Sequence, residues 1–345
     1  MTPELDTFLR AMPKVELHVH LEGAIRPETV LTLARKNHVK LPADTVEGLR
    51  DWYRFTDFDH FVDVYLTVSS CLTSFDDIEL IACEFLEGQA AQNIRHTEFT
   101  YTAWNHYARA RWSFEDQLAA LNNARRWAAR ELGITSGIVI DIPRIVTADE
   151  GIMVADWAIS GMGDGVVALG LGGPEVGNPP ERYSKAFARA WDAGLPAVPH
   201  AGETVGPMSI WGALRSLKAQ RIGHGVRCME DPELVEELRR RQIPLEVCPT
   251  SNVCVGDVAS MAEHPLPMLL EQGLMVTLNS DDPPMFNTTL TDEYLAVAHT
   301  FGLVETDFER LVLNAAEASL LSAADRVQLA EEIQTQCAHL GTNAP

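Results

Sequence analysis

The sequence predicts an α/β fold: a single (β/α)8 barrel of the TIM type, with extra helices over its C-terminal mouth and at the C-terminus of the chain. Three observations predict it. Short apolar segments alternate with longer amphipathic segments eight times between residues 14 and 278, which is the pattern of parallel β/α units. No glycine-rich turn follows an early strand, as it would in a doubly wound sheet. No linker interrupts the pattern, so residues 1–345 are expected to form one domain.

The predicted strands are short and apolar, and each precedes an amphipathic stretch. They cover residues 14–20, 95–100, 137–142, 166–171, 195–200, 221–224, 244–247 and 275–278. The predicted helices between them cover 27–36, 76–92, 113–131, 149–159, 180–193, 209–217, 232–241 and 265–272. Residues 38–75 are rich in aromatic residues and lack this rhythm, so they are expected to add helices over the mouth. Residues 285–345 are expected to continue as helices, with 322–333 closing the chain.

Composition and charge limit the classes of partner. Hydrophobic residues make up 46% of the chain and charged residues 22%, an ordinary globular balance. The formal net charge of −22 repels phosphate backbones and anionic lipids, so neither nucleic acid nor a membrane is expected as a partner. The sequence carries no signal for an oligomeric state.

The chain shows no targeting or membrane-spanning pattern. No apolar segment approaches the ~20 residues needed to cross a bilayer. The N-terminus lacks the basic start and apolar core of a signal peptide, so a cytoplasmic location is expected. The six cysteines form no CxxC motif and are expected to be reduced.

The first predicted strand contains two histidines, His18 and His20, separated by one residue. Side chains alternate faces along a strand, so these two imidazoles point the same way. Imidazole is a common metal ligand, and a divalent metal is a chemical reason for two of them to converge. The pair therefore predicts half of a metal site if the rest of the chain supplies further ligands.

Polar groups follow three of the late strands directly. His200 and Glu203 follow the fifth strand, His224 ends the sixth, and Asp281-Asp282 follow the eighth. In a barrel, the residues at the C-terminal ends of the strands meet at the active site. Three imidazoles and one carboxylate hold zinc and leave room for a water, whose pKa falls from 15.7 to about 7. A carboxyl kept protonated in a dry pocket supplies a general acid, so the set predicts metal-assisted hydrolysis.

These motifs together resemble a known family. The segments PKVELHVHLEGAI (13–25), HAGE (200–203), RIGHG (221–225), CPTSN (248–252) and NSDDP (279–283) stand in the order found in the adenosine deaminase family of the amidohydrolase superfamily. The resemblance extends over most of the chain. It implies a (β/α)8 barrel, in agreement with the alternation of strands and helices.

The resemblance also implies a metal and its ligands. One Zn²⁺ per chain is expected, held by His18, His20, His200 and Asp281. His224 is expected to orient and deprotonate the attacking water. Asp281 is expected to accept a hydrogen bond from that water.

The same resemblance implies how a 6-aminopurine is held. Glu203 is expected to protonate ring N1, Asp282 to hydrogen-bond N7, and the backbone N–H of Gly173 to contact N3. His20 and Glu22 are expected to complete the substrate site. A glycine at position 173 lets a flat ring approach the bare backbone.

The resemblance implies that the partner is a small molecule, a purine nucleoside. The implied reaction is its hydrolytic deamination, which converts adenosine or deoxyadenosine to inosine or deoxyinosine and releases ammonia. The match departs from the family pattern at two places. Glu22 replaces an aspartate that reaches the ribose, and Gly170 stands where the family often has an aspartate. Residues 54–65 and 100–112, which should cover the mouth, are also unlike typical adenosine enzymes.

Three other substrates of the family therefore stay open. They are free adenine, N6-methyl-AMP and aminodeoxyfutalosine, and the last is a menaquinone precursor whose adenosine bears an aromatic keto acid at C5′. The carboxylate of aminodeoxyfutalosine would need a cation, for which the sequence offers Arg26, Arg54, Arg109 and Arg111.

Two other function classes remain as alternatives. A binuclear amidohydrolase usually bridges its metals with a lysine from a middle strand, and segments 137–142 and 166–171 contain none. A non-catalytic purine-binding member would be expected to lack Glu203 or Asp281, and both are present. The pairing of HxE with PCxxC that is typical of deaminases acting on nucleic acid bases is absent, because the chain has no PCxxC.

Several further polar residues are expected to be structural. Ser251 and Asn252 are predicted to fix a loop by bonds to the backbone, Arg221 to support the sixth strand, and Glu16 to be a buried polar group. Of the remaining histidines, His106 is, with Trp104, a candidate for the pocket wall. The others are expected at the surface or in structural roles: His38, His60, His96, His264, His299 and His339.

Overall fold

The predicted barrel is present in the computed structural model, which describes residues 1–342. Eight parallel strands pair in the order of the sequence. They are β1 Lys14–His20, β2 Ile94–Tyr101, β3 Thr135–Pro143, β4 Val166–Gly172, β5 Ala197–Ala201, β6 Ile222–His224, β7 Leu245–Val247 and β8 Val276–Leu278. Every predicted strand is confirmed, with bounds that differ by at most a few residues.

The last strand meets the first through backbone hydrogen bonds. The N–H of His20 donates to the carbonyl of Asp281 (2.8 Å), and the N–H of Asp281 donates to the carbonyl of His18 (3.1 Å). Val19 forms an isolated parallel bridge with Asp281. The sheet is closed at the residues that the sequence assigns to the metal.

Sixteen α-helices occur in the described residues, and most of them pack outside the strands. They are α1 Pro3–Ala11, α2 Pro27–Lys36, α3 Val46–Trp52, α4 Phe58–Ser69, α5 Phe75–Ala91, α6 Ala103–Ala110, α7 Phe114–Glu131, α8 Ala148–Ser160, α9 Ser184–Asp192, α10 Pro207–Ser216, α11 Pro232–Arg241, α12 Pro249–Cys254, α13 Leu266–Glu271, α14 Leu290–Phe301, α15 Glu305–Ala318 and α16 Ala323–Thr342. The segment 38–75 does form helices, α3 and α4, and the closing helix extends beyond 333. Helix α1 has no counterpart in the predicted elements.

Local sequence signals explain where several helices begin. Ser74 and Asp77 form a capping box at the start of α5, as Thr147 and Glu150 do at the start of α8. Each such cap satisfies backbone N–H groups that have no partner within the helix, and contributes about 1 kcal/mol.

The barrel interior is polar as well as apolar. Every residue of β1 is buried, including Glu16. The Glu16 carboxylate accepts hydrogen bonds from the Ser280 hydroxyl (2.5 Å) and the Gln89 amide (2.7 Å), which confirms it as a satisfied buried group. Arg221 links Glu98 (2.6 Å) to Glu246 (2.5 Å), so a buried charged layer lies inside the sheet.

Two expectations from the sequence can be checked on the described residues. All six cysteines are free thiols. Among the helices that the structure describes, none combines the length and apolar character that crossing a bilayer requires.

Candidate active site and metal centre

Four side chains converge at the C-terminal end of the barrel. His18, His20, His200 and Asp281 each offer one donor atom, and these atoms all lie within 4.8 Å of one another. Nε2 of His20 lies 3.0 Å from Nε2 of His200 and 3.3 Å from Oδ1 of Asp281, and Nε2 of His18 lies 3.4 Å from the same oxygen. Ligands about 2.1 Å from a metal at tetrahedral or slightly smaller angles are about 3.0–3.4 Å apart. The donors are therefore spaced as they would be around one ion.

Protonation and burial favour a cation between these donors. Burial lowers the pKa of His20 to about 4 and holds the pKa of His200 well below its usual value, so both imidazoles are neutral near pH 7. The Nε2 atom of His18 is buried and has no hydrogen-bond partner among the described residues. Burial lowers the pKa of His18, but the neighbouring carboxylates of Asp281 and Glu246 outweigh that and raise it to about 9. The predicted ligand set is thus a candidate metal site.

Glu246 holds His18 in place from behind. Its Oε2 lies 2.8 Å from Nδ1 of His18, and its Oε1 accepts from Arg221 Nε. A carboxylate on Nδ1 fixes the tautomer that leaves Nε2 free for a metal. Asn279 Oδ1 also accepts the backbone N–H of His18 (3.1 Å). Glu246 is not among the residues predicted from the sequence, although a single carboxylate inside a short apolar strand is a usable signal.

Two residues of the site have an unusual backbone conformation. His224 (φ 60°), the last residue of β6, and Asp281 (φ 63°), three residues beyond β8, both lie in the left-handed region. Such residues cost about 1–3 kcal/mol each and persist where the surroundings hold them. Ser251 contributes to this by donating its hydroxyl to Asp281 Oδ2 (2.7 Å). The prediction that Ser251 binds backbone is therefore wrong: its hydroxyl orients Asp281, a candidate metal ligand.

A directed hydrogen-bond chain sets the tautomer of His224. The backbone N–H of Leu266 can only donate, and it donates to Nδ1 of His264 (3.1 Å). Burial lowers the pKa of His264 to about 4, so the ring is neutral and Nε2 carries its proton, which goes to Asn252 Oδ1 (3.2 Å). Nδ2 of Asn252 then donates to Nδ1 of His224 (3.3 Å). His224 therefore carries its proton on Nε2, and Asn252 orients a site residue rather than a backbone loop.

Glu203 is placed as an acid beside His224. It is buried, and its Oε1 lies 3.5 Å from Nε2 of His224. Burial, together with the negative charges of Asp257 and Asp281, raises the pKa of Glu203 well above its usual value. A protonated carboxyl near pH 7 is what proton donation to a substrate requires.

Glu175 positions the loop that carries Glu203. Its carboxylate accepts the backbone N–H groups of Gly202 (3.0 Å) and Glu203 (3.1 Å) and the hydroxyl of Ser209 (2.5 Å). Glu175 is not among the residues predicted from the sequence, although Glu175 lies only two residues after Gly173.

Asp282 and Gly173, the residues expected to contact the substrate, both line the cavity. Burial and the neighbouring Asp281 raise the pKa of Asp282 well above its usual value, and its Oδ1 has no partner among the described residues. A side chain at Gly23 would collide with that oxygen, since a Cβ there would lie 1.5 Å from it. Gly173 has φ 89°, a conformation that glycine adopts without strain.

The cavity over these groups, counted with its open mouth, takes in about 690 Å³ that no protein atom fills. Its floor carries His20, His200, Glu203, His224 and Asp281, together with Asp282 and Gly173. Its outer part is apolar. One face of α4 provides Phe58, Phe61, Val62, Tyr65 and Leu66, and Ile145 lies at the rim, 63% exposed.

Glu22 lies behind the cavity wall rather than in it. It is fully buried, its Oε2 accepts from the Tyr65 hydroxyl (3.2 Å), and its Oε1 accepts from the Thr102 N–H (3.2 Å). His106 lies 3.4 Å from it and stacks against aromatic rings, so it does not line the pocket. Trp104 packs on Tyr107 and Trp157 instead. The residues of segment 100–112 that line the cavity are Thr102 and Asn105.

None of the four arginines proposed for a substrate carboxylate lines the cavity. Arg26 and Arg109 bind backbone carbonyls, Arg54 faces Asp51, and Arg111 packs over Tyr107. The arginine that lines it is Arg144, which is fully buried and donates to the carbonyl of His200 (2.7 Å).

Comparisons with known proteins agree with this site. A sequence profile described as adenosine deaminase matches residues 13–336. An aminodeoxyfutalosine deaminase of Streptomyces coelicolor is 41% identical over 340 residues, which cover 97% of this chain and 87% of the relative. An adenine deaminase of Chlorobium phaeobacteroides is 37% identical, with 96% of this chain and 98% of the relative covered.

A solved structure is similar over nearly the whole chain. It is an amidohydrolase from Burkholderia ambifaria with bound zinc, 28% identical, with a TM-score of 0.91. The match covers 99% of this chain and 96% of that one.

Proposed function

The chain belongs to the adenosine deaminase family, and from this premise we propose that it is a zinc-dependent enzyme that deaminates aminodeoxyfutalosine. Hydrolytic deamination of an aminopurine follows from the family. The proposal concerns the metal, the roles of single residues and the substrate.

Zinc is proposed because the donor set suits it and a similar structure contains it. His18, His20, His200 and Asp281 would hold the ion. When bound, zinc would lower the pKa of a water toward about 7.

The chain's own residues then act on the water and the ring. Glu203 donates its proton to N1, which makes C6 more electrophilic. Water adds at C6 and passes one proton to Asp281, which delivers it to the departing amine as the C6–N bond breaks and ammonia leaves. The proton of the new C6 hydroxyl returns to Glu203 as the C6 carbonyl forms, so the acid is restored. The Nε2–H of His224 orients the attacking water as a donor, and Asp281 accepts that water's hydrogen bond. Proton removal by His224, which the sequence resemblance implies, would need the opposite tautomer from the one that Asn252 favours.

The apolar outer part of the cavity carries the substrate assignment. An adenine ring held by Glu203, Asp282 and Gly173 fills only the floor. Phe61 and Leu66 of α4, with Ile145, then offer an unoccupied apolar surface at the mouth. An aromatic group attached to the sugar would cover it, at about 25 cal/mol per Å² of apolar area removed from water.

The names of the relatives support the same shift of substrate. The two relatives are named for aminodeoxyfutalosine and for adenine, which the sequence left open as alternative substrates. Neither is named for adenosine, so we no longer propose adenosine as the substrate. Adenine is the second candidate, because Glu22, the residue expected at the ribose, is already bonded to Tyr65 and Thr102.

A substrate panel tests the proposal. We expect kcat/KM to be highest for aminodeoxyfutalosine, compared with adenine, adenosine and 2′-deoxyadenosine, and activity to be lost on chelation and restored by zinc. Ile145→Glu should lower kcat/KM for aminodeoxyfutalosine by about tenfold and leave adenine unchanged. Val176→Glu is the matched control, since Val176 is 71% exposed and does not line the cavity.

The panel also contains the refuting results. A higher kcat/KM for adenine would replace the proposed substrate. Absence of ammonia from every aminopurine would remove the proposal as a whole.

A further inference from the structure

Asp141 is a buried carboxyl in the cavity wall that the mechanism above does not use. It lies near the end of β3, lines the cavity and is 3% exposed. Its Oδ1 is buried and has no hydrogen-bond partner among the described residues. A buried carboxyl oxygen without a partner is costly, so its presence in a cavity wall calls for a ligand group.

The neighbouring strand makes room for this carboxyl. Asp141 pairs in register with Gly170 of β4, and Gly172 follows on the same face. A Cβ at Gly170 would lie 3.0 Å from Cβ of Asp141, and a Cβ at Gly172 would lie 2.8 Å from its Oδ2. Two glycines therefore leave Asp141 the space beside the cavity that side chains on β4 would fill.

The position of Asp141 relative to the purine follows from Gly173. Under the proposed function, the N–H of Gly173 contacts N3 of the ring. N3 and N9 lie on the same edge of a purine, opposite C6, and N9 carries the sugar. Asp141 lies next to the strand end that presents Gly173, so it is beside the sugar edge. On the other side of β3, Thr102 directly after β2 and Asn105 of α6 also line the cavity.

We propose that Asp141 is the sugar-reading residue of this site: it accepts a hydrogen bond from a ribose 2′- or 3′-hydroxyl of the substrate. This inference rests on the proposed function, because a free base offers no hydroxyl. It assigns to β3 the ribose contact that the sequence places at Glu22.

The test removes each partner of the contact in turn. Wild type and Asp141→Ala are compared with adenine, adenosine, 2′,3′-dideoxyadenosine and aminodeoxyfutalosine as substrates. We expect Asp141→Ala to lower kcat/KM about 10- to 100-fold for the two substrates that carry both hydroxyls, mainly through KM. For adenine and the dideoxy compound, kcat/KM should change less than about threefold in Asp141→Ala. These substrates already lack the hydroxyl, and two changes that break the same contact are not additive.

A second variant and a control keep the test decisive if alanine damages the fold. Asp141→Asn preserves shape and one acceptor oxygen, so it should recover part of the lost kcat/KM for adenosine. Glu293→Gln is the matched control. Glu293 is also fully buried, and burial raises its pKa to about 7, as it does for Asp141, but it lies outside the cavity. It should leave the adenosine-to-adenine ratio as in wild type.

The outcomes separate this inference from the proposed function. Equal losses for adenine and adenosine in both Asp141 variants, or no loss for either, would overturn the role of Asp141 alone. A wild-type enzyme that deaminates adenine but no compound with a sugar would overturn the proposed substrate and this role together.

Discussion

Replacing Glu246 by glutamine tests how the chain holds its metal. The Glu246 carboxylate accepts from two donors at once, Nδ1 of His18 (2.8 Å) and Nε of Arg221 (2.5 Å). A glutamine amide has one acceptor oxygen and one NH2 group, so in Glu246→Gln one of these donors must face another donor. His18 is then misoriented, or Arg221 loses a buried partner.

The expected size of the effect follows from these contacts. Loss of a partner behind a metal-ligating histidine weakens metal binding by about 10- to 100-fold, which is about 1.4–2.7 kcal/mol. An unsatisfied buried donor adds about 1–3 kcal/mol of lost folding stability. We expect both effects in Glu246→Gln.

The assay is a zinc Kd measured by competition with a chromophoric chelator, together with the free energy of unfolding of the metal-free protein. Glu98→Gln is the matched control, because Glu98 also pairs with Arg221 (2.6 Å) and is equally buried but does not touch His18. It should lose stability and keep its zinc Kd. If the two variants bind zinc equally well, the reasoning about Glu246 is refuted.

Three further results are expected. Glu203→Gln should keep its zinc and lose about 10² or more in kcat; near-normal turnover would remove Glu203 as the proton donor. Asn252→Asp offers only acceptor atoms to His224, so the proton of His224 should move from Nε2 to Nδ1. We expect kcat to fall more than about tenfold, because Nε2 can then no longer donate to the water. A rise in kcat would instead support His224 as the base that deprotonates the water. Burial lowers the pKa of Lys14 from 10.5 to about 8, so between these values the unfolded chain binds more protons and stability rises with pH. Lys14→Met should abolish that rise, and parallel stability–pH curves for the two proteins would contradict it.

The parts of the fold that the sequence predicts are those encoded locally. Strands buried on both faces appear as continuous apolar segments, so β3 and β4 are visible without any partner. His18 and His20 predict convergence because the strand period is short and regular. The candidate site residues are visible because they lie at the ends of predicted strands or within a few residues beyond them.

What the sequence does not reveal depends on contacts between distant segments. His18 and Glu246 are 228 residues apart, and nothing near either predicts the other. The motif places Glu22 near the substrate site. It does not predict that Glu22 is buried behind the cavity wall, where Tyr65 of the separate helix α4 donates to it. Asp141 appears as one polar residue inside an apolar strand until the glycines of β4 show the space beside it.

The contact between β1 and β8 has a consequence for the stability of the folded protein. Asp281 completes the barrel with its backbone and the candidate metal centre with its side chain, so the two ends of the sheet are joined by one residue. A ligand that binds only the closed form stabilises it by mass action, and here closure brings together segments from opposite ends of the chain. We therefore expect zinc supply to govern how long the first strand stays paired. When metal is scarce, the first measurable changes would be faster amide hydrogen exchange at the contact between β1 and β8 and faster degradation. The activity of each zinc-loaded molecule would stay unchanged.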